Sequence, residues 1–231
     1  MDKHNEEDLK KLSMDFLICC YFGQSKDLLK AAIDRAYLDM ARTLKFKDIS
    51  EDDRFKMRYD ASELISEKIK EFNKPFNTWH DKTIAELKEK YEPIMSDRMT
   101  DGQAQKWLNM TIKYLFVFKS LLGIDDSRFD DFRVFLTSTS ISDYKVPIDS
   151  YVLKGSGLSE LQSMKWSKLD EESKQKYSVA DDKLKNNNMG FLWELENWEK
   201  FSAEYSQKDK NSYAQYYDER KTKKEVVNDH D

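Results

Sequence analysis

Three polar residues interrupt an apolar stretch in the middle of the chain and could do chemistry there. In GQAQKWLNMTIKYLFVF, residues 102–118, Lys106, Asn109 and Lys113 stand among aromatic and aliphatic residues. On an α-helix each residue turns about 100°, so Lys113 nearly eclipses Lys106 and Asn109 lies about 60° to one side. The spacing therefore predicts one polar stripe on a helix whose other faces must be buried.

This stripe has two interpretations. At the solvent edge of a domain, lysines lay their aliphatic stems along apolar surface and keep their charges in water. In the wall of a cleft, a lysine in a partly dry pocket has a lowered pKa and can act as a nucleophile. The sequence alone leaves both interpretations open.

A carboxylate that could complete a cleft site occurs in VPIDSYV, residues 146–152. Pro147 is predicted in the first turn of a short helix, and Asp149 follows it. A carboxylate near a helix N-terminus also interacts favourably with the helix dipole, which explains Asp149 without any function. A functional role requires the chain to fold back beside the central helix, because Schiff-base chemistry needs a lysine nucleophile and a carboxylate together.

The pattern KWLNMTIKY, residues 106–114, then a loop and VPID, residues 146–149, resembles the core of the helix-hairpin-helix DNA glycosylases. It is most similar to the archaeal 8-oxoguanine glycosylase branch, over roughly residues 98–155. The resemblance implies an all-helical fold with Lys106 as the amine that attacks the sugar C1′. Asp149 would be the carboxylate that supports the nascent cation and the proton transfers. The sequence departs from the family in its hairpin, where DGQAQ supplies only Gly102, and in a longer spacing from Lys106 to Asp149.

The same resemblance implies a DNA substrate whose damaged base is flipped into a cleft. Phosphates would be held by the turn at 101–106, with Arg98 and Lys113. The other candidate substrate contacts are Gly102, Gln105, Asn109, Trp107 and His80. His80 could stack on a base or donate a proton, although a capping or exposed position explains it as well. Trp107 could stack on a base or simply pack in the core.

All the elements that must position these residues are predicted to be helices. Apolar residues recur at helical spacing before Gly23, from Leu28 to Leu44, after the N-cap signal at Ser50 and up to Tyr91. The central helix is predicted from Thr100 to near Gly123. Further helices are predicted at 126–136, 147–155 and 189–205, the last with Phe191, Leu195 and Trp198 facing inward.

The predicted fold class is therefore all-α. We expect a single multi-helical domain over residues 9–206, with the option of two lobes that meet at a central buried helix. Residues 1–8 are predicted to be frayed, and residues 207–231 to form a charged tail. With only 6 glycines and 3 prolines in 231 residues, the composition favours long helices.

Charge and missing motifs narrow the function classes. A net charge of −5 weighs against a nucleic-acid role without excluding it, because a local basic patch can suffice. The sequence has no CxxC or HxxxH, no glycine-rich phosphate loop and no GxSxG, so no metal or cofactor is expected.

No apolar run reaches about 18 residues, so no membrane span is expected. The adjacent Cys19 and Cys20 suggest core packing, reduced thiols and a cytoplasmic setting.

The leading hypothesis from the sequence is a DNA base-excision glycosylase-like protein with DNA as its partner. Two alternatives remain open. One is a non-catalytic, all-helical interaction module whose polar stripe lies on the surface. The other is a helical toxin or defence component that acts on another nucleotide. The sequence predicts neither the damaged base nor the oligomeric state.

Overall fold

The computed structural model describes residues 6–73 and 75–201. Its helices are α1 Glu6–Phe22, α2 Leu28–Ala41, α3 Glu51–Lys70, α4 Phe76–Tyr91, α5 Asp101–Leu122, α6 Arg133–Ser138, α7 Ser150–Gly155, α8 Ser159–Gln162 and α9 Tyr177–Asn186. Helix α10 covers residues 191–201, where the described part of the chain ends. Short 3₁₀ segments lie at Glu92–Ile94, Ser127–Phe132 and Trp166–Lys168, and one isolated antiparallel bridge joins Phe46 and Met95. The predicted all-α class is confirmed.

Helix α5 is the central element, and local sequence sets both of its ends. The Thr100 hydroxyl accepts from the Gln103 amide at 3.2 Å, and the Gln103 side chain accepts from the Thr100 amide at 3.0 Å. This capping box satisfies two amides at the start of the helix. Gly123, with a φ of 79°, ends it. Every residue from Asp101 to Leu115 is buried, so the polar stripe has almost no access to bulk water.

Helix α2 packs along α5 and fixes its position through Trp107. The Trp107 indole is fully buried, donates to the Ile33 carbonyl at 3.0 Å and packs against Tyr37 and Tyr91. Trp107 is therefore a core residue, and its predicted role as a stacking surface for a base does not fit this position. Buried apolar residues from Ile18 to Phe191 form one continuous cluster, so the described residues share a single core.

Helix α1 differs from the prediction in the face that it buries. Leu9, Leu12 and Phe16 are exposed, and so are Cys19 and Cys20, which were predicted to pack in the core. Only Ile18 of this helix is buried. Periodicity predicted the helix correctly but not which side of it meets the domain. The core prediction for the two cysteines is wrong.

The start of α7 also differs from the prediction. Asp149, in an extended conformation, is the N-cap of α7, and the helix begins at Ser150. Pro147 therefore precedes the helix rather than lying in its first turn. At the N-terminus, α1 already begins at Glu6, within the segment predicted to be frayed. Residues 1–5 and 202–231, which include the predicted tail, lie outside the described residues.

Candidate active site

The structure brings Lys106 and Asp149 into direct contact. The Lys106 ammonium donates to Asp149 Oδ2 at 2.5 Å, and the two side chains are 5% and 7% exposed. The other carboxylate oxygen, Oδ1, accepts from the amides of Tyr151 at 2.8 Å and Val152 at 2.9 Å, as an N-cap does. The carboxylate is thus anchored by the backbone of α7 on one side and faces the amine with the other. The solvent-edge interpretation of Lys106 is wrong.

A chain of buried amides carries the segment before Asp149 onto α5. The Ile148 amide donates to Gln105 Oε1 at 3.1 Å, and Gln105 Nε2 donates to the Ile148 carbonyl at 2.8 Å. Because Gln105 Oε1 is an acceptor, Asn109 Nδ2 is the donor to it at 3.0 Å and also donates to the Val146 carbonyl at 3.1 Å. Asn109 Oδ1 therefore accepts from His80 Nε2 at 2.7 Å, so Nε2 carries a proton, and Nδ1 of the same ring faces the Asp81 carboxylate at 3.3 Å.

His80, Gln105 and Asn109 consequently lie behind the Lys106–Asp149 pair and hold it in place. All three are fully buried and their hydrogen bonds are made within the protein. Burial lowers the pKa of His80, which favours the neutral imidazole, and its ring stacks on Phe76. Their predicted role as substrate contacts does not fit these positions, because a substrate would have to displace them. The capping or exposed position considered for His80 is also wrong.

Lys113 forms a second buried ion pair, one that the sequence did not predict. Its ammonium lies 2.7 and 2.6 Å from the two carboxylate oxygens of Glu194 on α10, and 4.5 Å from the centre of the Trp198 ring. Burial raises the pKa of the Glu194 carboxyl. Glu194, rather than the predicted Leu195, shares the inward face with Phe191. Lys113 is therefore committed to a carboxylate and is not placed to hold a phosphate.

The segment predicted to hold phosphates is not a hairpin in the structure. Residues 101–106 are the first turns of α5, and the Gly102 amide already donates to the Leu169 carbonyl at 2.8 Å. A Cβ at Gly102 would stand 1.9 Å from the Trp166 carbonyl oxygen, so glycine is needed here for close packing. Arg98 pairs with Asp170 and Glu172. The geometry thus gives these groups a structural role instead of the predicted phosphate contacts.

A cavity of about 270 Å³ opens onto Lys106 and Asp149. Helices α1, α2, α5, α7 and α10 contribute its walls. Its aromatic lining consists of Tyr21, Tyr114, Tyr151 and Trp198. The volume lies near the lower end of ligand pockets in proteins, so a single small ring system suits it.

The charge of this pocket is opposite in sign to that of the whole chain. Three cationic side chains line it, against the carboxylates of Asp39 and Asp149, so the pocket is positive by one charge while the protein carries −5. Asp39 accepts from the Tyr114 hydroxyl at 2.6 Å and lies 3.3 Å from Arg35. Burial raises the pKa of Tyr114, so its hydroxyl remains a donor. A positive pocket in an acidic protein favours an anionic or electron-rich ligand.

Neither a metal-binding cluster nor a membrane-spanning helix is found in residues 6–73 and 75–201. No group of three His, Cys, Asp or Glu side chains in these ranges is arranged to hold a metal ion. No helix in them is long and apolar enough to cross a membrane.

Comparisons with known proteins give no match. No family model, no curated protein and no solved structure matches the chain.

Proposed function

We propose that the chain is a DNA base-excision glycosylase-like enzyme that cleaves the N-glycosidic bond of a damaged base. The observation that carries this proposal is the shielded contact of 2.5 Å between Lys106 and Asp149 at the inner side of a cavity. An ion pair with a purely structural role needs no cavity beside it. An amine and a carboxylate that share a pocket can carry out covalent catalysis at a sugar carbon.

The reaction begins with transfer of a proton from the Lys106 ammonium to Asp149 Oδ2. Because this transfer converts an ion pair into two neutral groups, the dry surroundings do not oppose it. The free amine of Lys106 then attacks C1′, and the bond between C1′ and the base nitrogen breaks. The base leaves with the electron pair and takes the proton from Asp149, whose carboxylate is thereby restored.

The covalent adduct then opens to a Schiff base. A proton moves from the bound nitrogen of Lys106 through Asp149 to the ring oxygen of the sugar, and the bond between C1′ and that oxygen breaks. The protonated imine remains on the enzyme until water hydrolyses it. Once the departing base has taken the proton, the restored Asp149 carboxylate faces the positive charge on the sugar, because α7 fixes its other oxygen.

The proposal is tested by trapping the Schiff base. The protein is incubated with duplex DNA that contains 8-oxoguanine or uracil, and borohydride is added. We expect a covalent adduct with the wild type and none with Lys106→Gln. Lys30→Gln, which alters an exposed lysine on α2 outside the pocket, should give the wild-type yield. Asp149→Asn, which retains a capping side chain, should slow adduct formation.

A non-catalytic interaction module is the second candidate, and helix α1 favours it. Leu9, Leu12 and Phe16 are more than half exposed on this helix, which is unusual for three large apolar side chains on one helix. In this alternative, the Lys106–Asp149 pair only stabilises the fold. The wild type would then give no adduct with either DNA and would not bind DNA at low salt.

A further inference from the structure

Helix α2 presents a charged stripe to the pocket. Arg35, Asp39 and Arg42 follow one another at spacings of four and three residues, which places them within about 60° of one another on the helix. All three line the cavity that holds the Lys106–Asp149 pair. The stripe on α5 that faces them consists of Lys106, Met110 and Tyr114. This cavity, called the cleft below, thus has cations on both its α2 wall and its α5 wall.

Arg42 is the cation of this cleft that lacks a carboxylate. Its side chain is exposed and has no hydrogen-bond or ion-pair partner among residues 6–73 and 75–201. Arg35 lies over the Tyr21 ring at 4.4 Å and pairs with Asp39, while its buried Nε has no partner in the same ranges. Arg42 also stands at the C-terminal end of α2, where a cation interacts favourably with the helix dipole. The dipole explains why a positive charge is favourable at Arg42. It does not explain why Arg35 lines the same side of the cleft.

The depth of the cleft separates Arg42 from the reactive pair. Lys106 and Asp149 are almost completely buried, whereas Arg42 is exposed, so Arg42 lies at the rim and the amine at the inner end. The Gln103 side chain donates to the Thr43 carbonyl at 2.9 Å, which places the end of α2 beside the first turn of α5. Gln103 and Lys106 are three residues apart, about 4.5 Å along the helix axis. Arg42, at the end of α2, and Lys106, one turn into α5, therefore line the same cavity from two neighbouring helices.

We propose that Arg42, assisted by Arg35, binds a phosphate of the substrate at the rim of the cleft while the glycosidic carbon lies beside Lys106. The substrate is then a phosphorylated nucleoside, either a free nucleotide or one nucleotide of a strand. This inference rests on the proposed function, since it concerns the same pocket. It also accounts for how an acidic protein without a phosphate-holding hairpin could attract an anionic substrate. Guanidinium groups suit phosphate oxygens because they donate two parallel hydrogen bonds.

The test compares ligands that differ only in the phosphate. Binding of 8-oxo-2′-deoxyguanosine and of its 5′-monophosphate is measured by calorimetry, and the pair 2′-deoxyuridine and 2′-deoxyuridine 5′-monophosphate is measured likewise. We expect each monophosphate that binds to do so at least ten-fold more tightly than its nucleoside, with a preference that weakens as salt increases. Arg42→Gln should abolish the preference. Arg54→Gln, a change of an exposed arginine on α3 outside the cleft, should retain it.

Three results would overturn the inference: equal binding of nucleoside and monophosphate, no binding of either pair, or a preference that survives in Arg42→Gln. A single-stranded oligonucleotide with the same base assigns the source of the phosphate. Tighter binding of the oligonucleotide than of the monophosphate indicates that the phosphate belongs to a strand, and equal binding of the two indicates a free nucleotide. Both outcomes support recognition of phosphate if Arg42→Gln weakens the binding.

The trapping experiment separates this inference from the proposed function. A preference for phosphate that depends on Arg42, in a protein that gives no borohydride adduct, supports the phosphate site and refutes the glycosylase chemistry. An adduct that forms equally well in Arg42→Gln supports the chemistry and refutes the role of Arg42. Far-UV circular dichroism of Arg42→Gln, whose altered side chain is exposed, confirms that the variant is folded.

Discussion

At the scale of single residues, the site is built from charges that are buried in pairs. Lys106 meets Asp149, and Lys113 meets Glu194, with almost no access to water. Burial of an ion costs several kcal/mol unless an opposite charge and further hydrogen bonds compensate it. The sequence identified both lysines from their spacing. It did not identify Glu194, because this glutamate precedes Leu195 of the predicted apolar face and would be expected to lie in solvent.

The first prediction concerns the mutual dependence of Lys106 and Asp149. Lys106→Met leaves the Asp149 carboxylate buried without a cation, so the free energy of unfolding should fall by about 3–5 kcal/mol. Adding Asp149→Asn removes that charge and retains a side chain that caps α7, so the double variant should be more stable than Lys106→Met alone. Urea unfolding at pH 7 measures both differences. A double variant that loses the sum of the two single losses would contradict the coupling.

The second prediction concerns His80 and pH. Burial lowers the pKa of His80, so the unfolded chain, with a histidine pKa of about 6.5, binds the proton first. Stability due to His80 is therefore complete above pH 6.5 and declines as the pH falls below it, by at most about 1.4 kcal/mol per pH unit. His80→Gln, whose side-chain amide can still donate to Asn109, should lack this decline.

The comparison is made by urea unfolding of both proteins between pH 7 and pH 5. Glu194 acts in the opposite direction, because its raised pKa lets the folded protein take up a proton before the unfolded chain does. Since both proteins contain Glu194, the difference between their pH profiles reports on His80. Parallel profiles would show that His80 is protonated to the same extent in the folded and unfolded states.

At the scale of elements, local signals predicted where helices begin and end but not how they meet. Ser50 and Thr100 cap α3 and α5 as their sequences indicated, and Gly23 and Gly123 follow the ends of α1 and α5. The approach of Asp149 to Lys106 instead depends on the path of residues 139–149, which have no periodicity. Gln105 and Asn109 fix that path through backbone groups. No pattern in the sequence reveals such long-range hydrogen bonds.

The third prediction tests the close packing at the start of α5. In Gly102→Ala the new Cβ would meet the Trp166 carbonyl oxygen at 1.9 Å, and a backbone atom cannot move away as a flexible side chain can. We expect a loss of about 1–3 kcal/mol in stability, as for overpacked cores, measured by urea unfolding. Gly190→Ala is the matched control, because no heavy atom lies within 4 Å of its added Cβ. A loss of the same size in both variants would indicate that contact with Trp166 is not the cause.

The fourth prediction concerns the exposed side of α1. Cys19 and Cys20 are exposed, so iodoacetamide should modify both thiols in the folded protein at pH 8. Mass spectrometry of the intact chain counts the added groups. Urea-unfolded protein gives the reference for complete modification. Thiols that react only after urea is added would show that α1 buries the face predicted from its apolar spacing.

At the scale of the whole molecule, α5 makes the protein one unit. The helix is buried on every side from Asp101 to Leu115, and α1, α2 and α4 all pack against it. The all-α class was predictable, because a chain with few glycines and prolines has few residues that interrupt helices, and its composition therefore favours long helices. A single domain was also expected, but the sequence left open whether its helices would form two lobes around α5.

The fifth prediction follows from this shared helix. If any group of helices separated from the rest, part of α5 would be exposed with its tryptophan and its buried lysines, so partial unfolding should be unfavourable. We therefore expect urea unfolding followed by far-UV circular dichroism to coincide with unfolding followed by tryptophan fluorescence, which reports on all five tryptophans, among them Trp107 in the core and Trp198 at the pocket. A fluorescence change that precedes the loss of helix would show that the packing around the tryptophans loosens before the helices unfold. Two separate transitions in circular dichroism would instead show that the helices around α5 form independent lobes.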